Sequence, residues 1–362
     1  MKKIIFALCA VALLGMASCS KEEVAPTTPG QEEPGTNPGT DPGTDPGTDP
    51  GSGSTYEELD TEGMYGPERR LSVVSENGTN VESWAWQSDR LMSVTDIATG
   101  EQKSRFVYGS DNRVQSVTLV GNSDIALVGN MLNGTFTVAY NGQYINKLTL
   151  TRNAVQIAEA QISHNASGKV SHIGLTLNDE AVLPMVNNII AQAAGNSSNI
   201  PTFTLSGATG SLDFSWTGQN VVQARLNVGI NANTTKGEIM NSALANYLGN
   251  LSAYAAYLPD NTPIVFNITL CDTANYDYDS QKNPFRHFLG QIDISTLSTN
   301  NVTSESHNAA AIVKAGFSAA LMIPLFNYPL LQGTTTYTYT YENNFPATIT
   351  ASDGTVKGYL YQ

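Results

Sequence analysis

Apolar and polar residues alternate with a period of two along most of the chain after residue 55. Several stretches share one pattern, in which aromatic residues at alternating positions precede a short turn of Asn, Asp, Gly, Gln or Ser. Alternation bounded by such turns is typical of β-hairpins, and consecutive hairpins form an antiparallel meander. The pattern predicts a mainly β domain over residues 55–362. The stretches are Trp84–Trp86, Phe106–Tyr108, Phe136–Tyr140, Phe214–Trp216 and Tyr337–Tyr341.

Two segments change to a helical period. Within residues 238–258, large apolar residues recur at steps of three and four from Met240 to Leu258, which predicts one amphipathic helix with a single apolar stripe. This stripe should pack on the sheet, with Tyr247 and Tyr254 near sheet aromatics such as Trp216. Residues 181–194 predict a shorter helix that Gly195 ends. The stretch Ala309–Ile323 is apolar on all sides and fits either a helix or a strand.

The N-terminus has the features of an export signal. Two lysines precede an apolar run from Ile4 to Met16, which is shorter than the roughly 20 residues that span a bilayer. The residues Met16-Ala17-Ser18-Cys19 resemble the lipobox of bacterial lipoproteins. In that family a diacylglycerol is attached to the cysteine and the leader is removed. The resemblance identifies 1–18 as the signal peptide and Cys19 as the lipidation site.

Residues 19–54 predict a disordered tether. The tetrapeptides PGTN and PGTD repeat from Pro34 to Asp49, and the stretch 24–54 contains no aromatic residue with which to form a core. As a flexible coil these 31 residues would span roughly 30 Å. The acidic start, Ser20-Lys21-Glu22-Glu23, resembles the surface-export signal of Bacteroidetes lipoproteins, and it is equally compatible with a plain solvated linker.

Charge and cysteine content narrow the possibilities. The net charge is −14, and loss of the two lysines of the leader makes it −16. Such a chain has no basic surface for nucleic acid or anionic headgroups. After Cys9 leaves with the leader and Cys19 takes lipid, Cys271 alone remains, so the mature chain can form no intramolecular disulfide. Cys271 is either a reactive thiol or, as we favour, a small buried apolar residue.

The segments 276–285 (YDYDSQKNPF) and 339–346 (YTYENNFP) carry a family resemblance. The hairpins resemble the tyrosine–aspartate repeats of Rhs-type proteins. The whole chain resembles a family of uncharacterised Bacteroidetes lipoproteins described as having a porin-like fold. The resemblance implies a curved or barrel-like antiparallel sheet, with one or two packed α-helices, and implies no activity. Because a lipid anchor and tether would be redundant for a membrane-spanning barrel, we expect a soluble domain.

Catalytic and metal-binding motifs are weak in this sequence. It contains no G-x-S-x-G, H-E-x-x-H, C-x-x-C or P-loop motif, so no catalytic residue and no cofactor is predicted. His164 and His172 flank one turn and could form a metal pair, but a metal site usually needs three or four ligands, so we favour solvated hairpin positions for both. The carboxylates Asp272, Asp277 and Asp279 are weak calcium candidates, because they also fit turn-capping roles.

One further modification is suggested by resemblance. Asp272-Thr273-Ala274 resembles the O-glycosylation site of Bacteroidetes secreted proteins, which makes Thr273 the candidate acceptor. Burial of Thr273 beside the strand that precedes it would exclude a glycan.

The sequence therefore favours a non-catalytic lipoprotein of the outer membrane, on the cell surface or on the periplasmic face. Its partner would be a glycan, a lipid or an envelope protein. The alternative is a surface polysaccharide hydrolase, with acid and base carboxylates that come from separate hairpins. A purely structural accessory subunit is a third possibility.

Cys19→Ala should release the protein from the membrane fraction and abolish incorporation of labelled palmitate, because no acyl chain can then be attached. Cys9→Ala, which changes a leader cysteine of the same kind, should leave both unchanged. A Cys19→Ala protein that still fractionates with membranes would contradict the lipobox assignment.

Overall fold

The computed structural model describes residues 70–88, 90–120, 133–142, 144–195, 197–247, 257–285 and 297–362. The leader, Cys19, the tether and residues 248–256 of the predicted helix lie outside these ranges. Among the described residues, no helix is both long enough and apolar enough to cross a membrane.

Sixteen strands and two α-helices account for most of the described chain. The strands are β1 Leu71–Glu76, β2 Thr79–Gln87, β3 Arg90–Asp96, β4 Gln102–Tyr108, β5 Val114–Leu119, β6 Gly134–Asn141, β7 Tyr144–Arg152, β8 Val155–His164, β9 Val170–Leu177, β10 Thr204–Thr217, β11 Asn220–Thr235, β12 Pro263–Lys282, β13 Asn300–Ser318, β14 Leu321–Glu342, β15 Phe345–Ala351 and β16 Val356–Tyr361. The helices are α1 Asp179–Ala193 and α2 Lys236–Met240, and a 3-10 turn follows at Ala243–Tyr247.

The strands form a closed antiparallel barrel in which each strand pairs with its sequence neighbours. The last strand, β16, closes the ring on β1, with Leu71 opposite Tyr361. The mainly β, barrel-like prediction is confirmed, and each predicted aromatic stretch lies on a strand. The ambiguous stretch Ala309–Ile323 is strand, since it forms the end of β13 and the start of β14.

Tight turns explain why the strands reverse where they do. Asn343 and Asn344, between β14 and β15, have φ of 52° and 68°, the left-handed values that a two-residue type I′ turn requires. Asn77 and Gly78, between β1 and β2, have φ of 49° and 82°. Asparagine and glycine adopt this conformation at little cost, so the sequence determines these turns locally.

The barrel wall is apolar inside and polar outside along β10, β11 and β12. Alternating side chains on these strands are buried, and the side chains between them are exposed or half-exposed, except for buried Cys271. The buried set is Leu212, Phe214, Leu226, Val228, Ile230, Ile264, Phe266, Ile268 and Leu270. The outward set is Thr209, Asp213, Ser215, Arg225, Asn227, Asn231, Asn267, Thr269 and Asn275.

Helix α1 fills one end of the barrel. It follows β9, and its five inward residues have at most 1% exposure: Val182, Met185, Val186, Ile189 and Ile190. It contacts β8 and β10 and also β14, which lies six places away from β8 in the strand ring. The helix therefore lies between distant parts of the wall. Gly195, with φ of 77°, follows its end, as the sequence predicted.

The prediction of one continuous helix over residues 238–258 is wrong for the residues of this segment that the structure describes. Thr235 caps the N-terminus of the short helix α2. The helix stops at Met240, because a new turn begins at Ser242, whose hydroxyl accepts a hydrogen bond from the Leu244 amide. Leu244 is fully buried, whereas Met240 is 41% exposed, so the two do not share one apolar stripe. Tyr254 lies outside the described residues, as does the side chain of Tyr247.

Val186→Asp should destabilise the domain by about 3 kcal/mol or more, because it places an unpaired charge among fully buried side chains. The matched control is Asn188→Asp, on the exposed side of α1, which should change stability by about 0.5 kcal/mol or less. Urea unfolding followed by circular dichroism measures both. Equal midpoints for the two variants would mean that α1 is peripheral to the fold.

Candidate functional site

Aromatic side chains form a ring at the mouth of the barrel, on inward positions at the end where the even-numbered strands finish. Seven of these residues, which we call the aromatic girdle, donate a side-chain hydrogen bond of 2.5–2.9 Å to a backbone carbonyl near the start of the preceding strand. The girdle is Trp86, Tyr108, Tyr140, Trp216, Tyr278, Tyr339 and Tyr361. The acceptors, in the same order, are Leu71, Leu91, Val114, Val170, Val221, Val302 and Pro346.

The girdle hydrogen bonds follow one another around the rim. Trp86 pairs across its turn with Leu91, whose carbonyl accepts from Tyr108. At the closing seam Tyr361 pairs with Leu71, whose carbonyl accepts from Trp86. His164 holds the corresponding place on β8, where it pairs with Val170 and lies 4.7 Å from the Tyr144 ring. The same local arrangement thus recurs around the barrel mouth.

A β-bulge accompanies most girdle positions. The strand register shifts immediately before Trp86, Tyr108, Tyr140, Trp216 and Tyr278. A bulge adds one residue to a strand and increases its local twist and bend. Because the polar atom of each ring is already bonded to backbone, the half-buried ring faces are what the girdle presents to the barrel interior.

Below the girdle, β12 and β13 bring a histidine and a carboxylate together. On β12, Asp272 lies on the same face as buried Ile268 and Leu270. On β13, His307 lies on the same face as buried Ala309, so both side chains point inward. The His307 Nδ1 atom lies 2.7 Å from the Asp272 Oδ2 atom. This contact fixes the imidazole and leaves Nε2 as the nitrogen that a ligand would meet.

Two more polar groups complete this cluster. Glu305 lies one inward position nearer the girdle than His307, and it accepts a hydrogen bond from the Tyr337 hydroxyl of β14. The Tyr276 ring meets the His307 ring edge-to-face, with 6.5 Å between centroids. We call Asp272, His307, Glu305, Tyr337 and Tyr276 the interior polar cluster. It combines carboxylates, an imidazole and aromatic rings on one inner wall.

Electrostatics favour a protonated His307. Burial alone would lower its pKa, but the hydrogen bond that His307 donates to Asp272 and the charges of Asp272 and Glu305 outweigh burial and raise the pKa of His307. Burial raises the pKa of the Asp272 carboxyl, against the hydrogen bond with His307. Burial and the Glu305 charge raise the pKa of Tyr337, which keeps its hydroxyl a hydrogen-bond donor. The cluster can donate and accept hydrogen bonds.

The structure does not gather the weak calcium candidates into one site. Asp272 pairs with His307, Asp277 is exposed, and Asp279 accepts hydrogen bonds from Gln281, Asn301 and Tyr341. The described part of the chain contains no group of three or more His, Cys, Asp or Glu residues that could hold a metal ion.

The other sequence candidates have separate environments. His172 is half-exposed and its Nδ1 atom lies 2.6 Å from the Asp213 Oδ1 atom, whereas His164 contacts Tyr144. Cys271 is buried. Thr273 lies in the middle of β12, half-buried and opposite Arg225, and its glycosylation stays a prediction.

Sequence reasoning missed Glu305, His307 and Tyr337. On β13, Glu305 and His307 continue the parity of the buried Ala309 and Ala311. Two ionisable residues on the apolar parity of a strand are the signal that could have identified them. Tyr337 was read only as a hairpin aromatic, because its contact with Glu305 joins residues 32 positions apart.

Comparisons with known proteins add little. No family model matches the chain, and no curated protein matches it. Ten chains of solved structures match, including a porin-like protein from Bacteroides vulgatus with 10% sequence identity. That match covers 81% of this chain and 99% of the other, with a TM-score of 0.24. Because this score carries no argument about fold or function, the barrel assignment rests on the strand pairing of this chain.

The raised pKa of His307 should make stability depend on pH. The stabilisation that protonated His307 gives the folded state is fully present below the pKa of 6.5 that His307 has in the unfolded chain. It is lost as the pH rises through the higher pKa of His307 in the folded state. In His307→Gln, stability should fall less as the pH rises, and urea midpoints measured between about pH 5.5 and 8.5 test this. The control His172→Gln, in an exposed His–Asp pair, should retain it. Parallel curves for His307→Gln and the parent would contradict the assignment.

Proposed function

We propose that this chain is a non-catalytic binding module of the bacterial envelope. It is anchored in the outer membrane by lipid on Cys19, and it binds a saccharide inside the girdle end of its barrel. One observation carries the proposal. The inner wall is packed and apolar at the α1 end, but at the girdle end it presents half-buried rings above ionisable groups.

The outer wall supports a domain that stands in water on a tether. Membrane-spanning barrels place apolar side chains outward and polar ones inward. The described strands β10, β11 and β12 have the opposite arrangement, with Thr, Asn, Ser, Arg and Asp outward. Attachment through an N-terminal lipid fits such a wall, and the 31-residue tether would hold the barrel clear of the lipid surface.

The inner wall favours a saccharide over an acyl chain. On α1, β11 and β12 the inward side chains at this end are almost fully buried, which leaves little apolar surface for a hydrocarbon chain along these elements. At the girdle end, half-buried rings can stack on sugar rings in competition with Arg90, Arg113 and Lys169, which lie over the rings of Tyr108, Tyr140 and Trp216. Glu305 and His307 can hydrogen-bond sugar hydroxyls beside them, and Asp272 holds the His307 ring in place.

A hydrolase is the second candidate function. Asp272 and His307 form a hydrogen-bonded pair, and Glu305 lies on the same inner wall. Carboxylates facing a bound sugar are the groups that glycosidases use as acid and base. Release of new reducing ends from an oligosaccharide would identify this activity.

The experiment is a titration of the purified domain with defined oligosaccharides, followed by tryptophan fluorescence. The three tryptophans of the chain, Trp84, Trp86 and Trp216, all lie on inward positions toward the girdle end. Glu305→Gln should weaken binding about tenfold, because a charge-assisted hydrogen bond contributes roughly 1.5–3 kcal/mol.

Asp213→Asn, a carboxylate change on the exposed outer wall, should leave the affinity unchanged. The proposal fails if no oligosaccharide binds, or if Asp213→Asn weakens binding as much as Glu305→Gln does. Accumulation of reducing ends that Glu305→Gln abolishes would establish the hydrolase instead.

A further inference from the structure

A second feature of the interior lies on β2 and β16. Trp84 on β2 and Tyr359 on β16 both point inward and are buried. The ring of Phe285, which follows β12, contacts both: its centroid lies 6.2 Å from that of Trp84 and 5.7 Å from that of Tyr359. We call the space between Trp84 and Tyr359 the aromatic slot. Phe285 reaches it from a distant strand.

Phe285 is aimed into the slot by a firmly bonded turn at the girdle. The Asn283 side chain accepts from the Phe285 amide at 3.0 Å and donates to the Ser298 carbonyl at 3.1 Å. The Ser298 hydroxyl lies 2.9 Å from the hydroxyl of the girdle residue Tyr278, and it accepts from the Val221 amide at 3.0 Å. These contacts hold the base of Phe285 on the β11 and β12 side of the mouth.

Glu82 lies one inward position deeper than Trp84 on the same strand. Its Oε1 atom lies 3.3 Å from the Lys103 ammonium, which also lies 2.9 Å from Asp96. Its Oε2 atom is buried and has no hydrogen-bond partner among the described residues. Buried carboxylate oxygens are nearly always hydrogen-bonded, so this atom identifies a place where a donor group fits. Lys357, buried on β16, is the other cation on this side of the interior.

We propose that the aromatic slot is a sugar-ring subsite that Phe285 occupies, and that a bound saccharide displaces Phe285 and donates a hydroxyl to Glu82. The subsite rests on the proposed saccharide-binding function and extends it. Phenylalanine supplies a ring to Trp84 and Tyr359 but has no donor for the Oε2 atom. A sugar ring supplies both an apolar face and hydroxyl donors.

Displacement has a measurable consequence for affinity. Where a binding site is free in only a fraction of molecules, the apparent dissociation constant is raised by the inverse of that fraction. Removing the Phe285 ring removes this competition. Glu82→Gln, by contrast, keeps the shape of the side chain but weakens its acceptor, so it should lower affinity without opening the slot.

Phe285→Ala tests the slot in the full domain, with Trp86 and Trp216 retained because both belong to the girdle, so that a change in quenching against the parent reports on Trp84. Acrylamide quenching of Trp84 should rise, and the oligosaccharide that binds the parent should bind about tenfold more tightly. Glu82→Gln should bind about tenfold more weakly with quenching unchanged. The matched control Phe203→Ala, whose buried ring packs on Phe266 at the α1 end, should alter neither property.

The outcomes separate the two proposals. If quenching is unchanged in Phe285→Ala, Phe285 does not cover Trp84 and the slot proposal is wrong. The slot proposal is also wrong if quenching rises, the affinity stays the same, and Glu305→Gln still weakens binding. If quenching rises but no oligosaccharide binds either protein, the saccharide-binding function fails, while the occupation of the slot by Phe285 is upheld. Melting curves of all variants confirm that each is folded at the temperature used.

Discussion

Closure of the barrel depends on the hydrogen bond between a girdle ring and the carbonyl at the start of the preceding strand. Each such bond holds together the two strands of a hairpin at their open end, where the chain leaves the ladder. Beside the ring, the following strand carries the extra residue of a β-bulge (Met92 next to Trp86, Gln115 next to Tyr108), which increases the local twist and bend of the sheet. The arrangement recurs around the rim. At the seam, Tyr361 pairs with Leu71, whose carbonyl accepts a hydrogen bond from Trp86. The successive bends therefore produce a closed sheet with no free edge between β16 and β1.

The girdle also determines what the interior can be. Ring atoms that would need water are bonded to backbone, so large aromatic residues can line the mouth of an otherwise apolar barrel. Below them the interior polar cluster satisfies itself, with His307 on Asp272 and Tyr337 on Glu305. At the far end α1 fills the interior with aliphatic side chains.

The candidate site was only partly predictable. Asp272 was singled out for its place in a dense run of carboxylates, but its parity on β12 separates it from Asp277, and its partner is His307. Histidine and carboxylate meet there because β12 and β13 pair in one register over a long hairpin, which no local pattern specifies. Phe285 meets Trp84 across the barrel mouth, about 200 residues away in sequence, and only ring closure brings these residues together.

By itself the sequence determined the elements that depend on neighbouring residues. Alternating aromatics and Asn-rich turns specified hairpins such as β14 and β15, and a period near 3.6 followed by Gly195 specified α1, because these are local preferences of the backbone. Tertiary structure decided the rest. It ended α2 at Met240, where distant Asn199 donates to the Asn241 carbonyl and accepts from the Ala243 amide. It also made Ala309–Ile323 strand by pairing on both sides, and it assembled the interior polar cluster. These outcomes depend on contacts between distant residues, whose free energy is gained only once the sheet has closed.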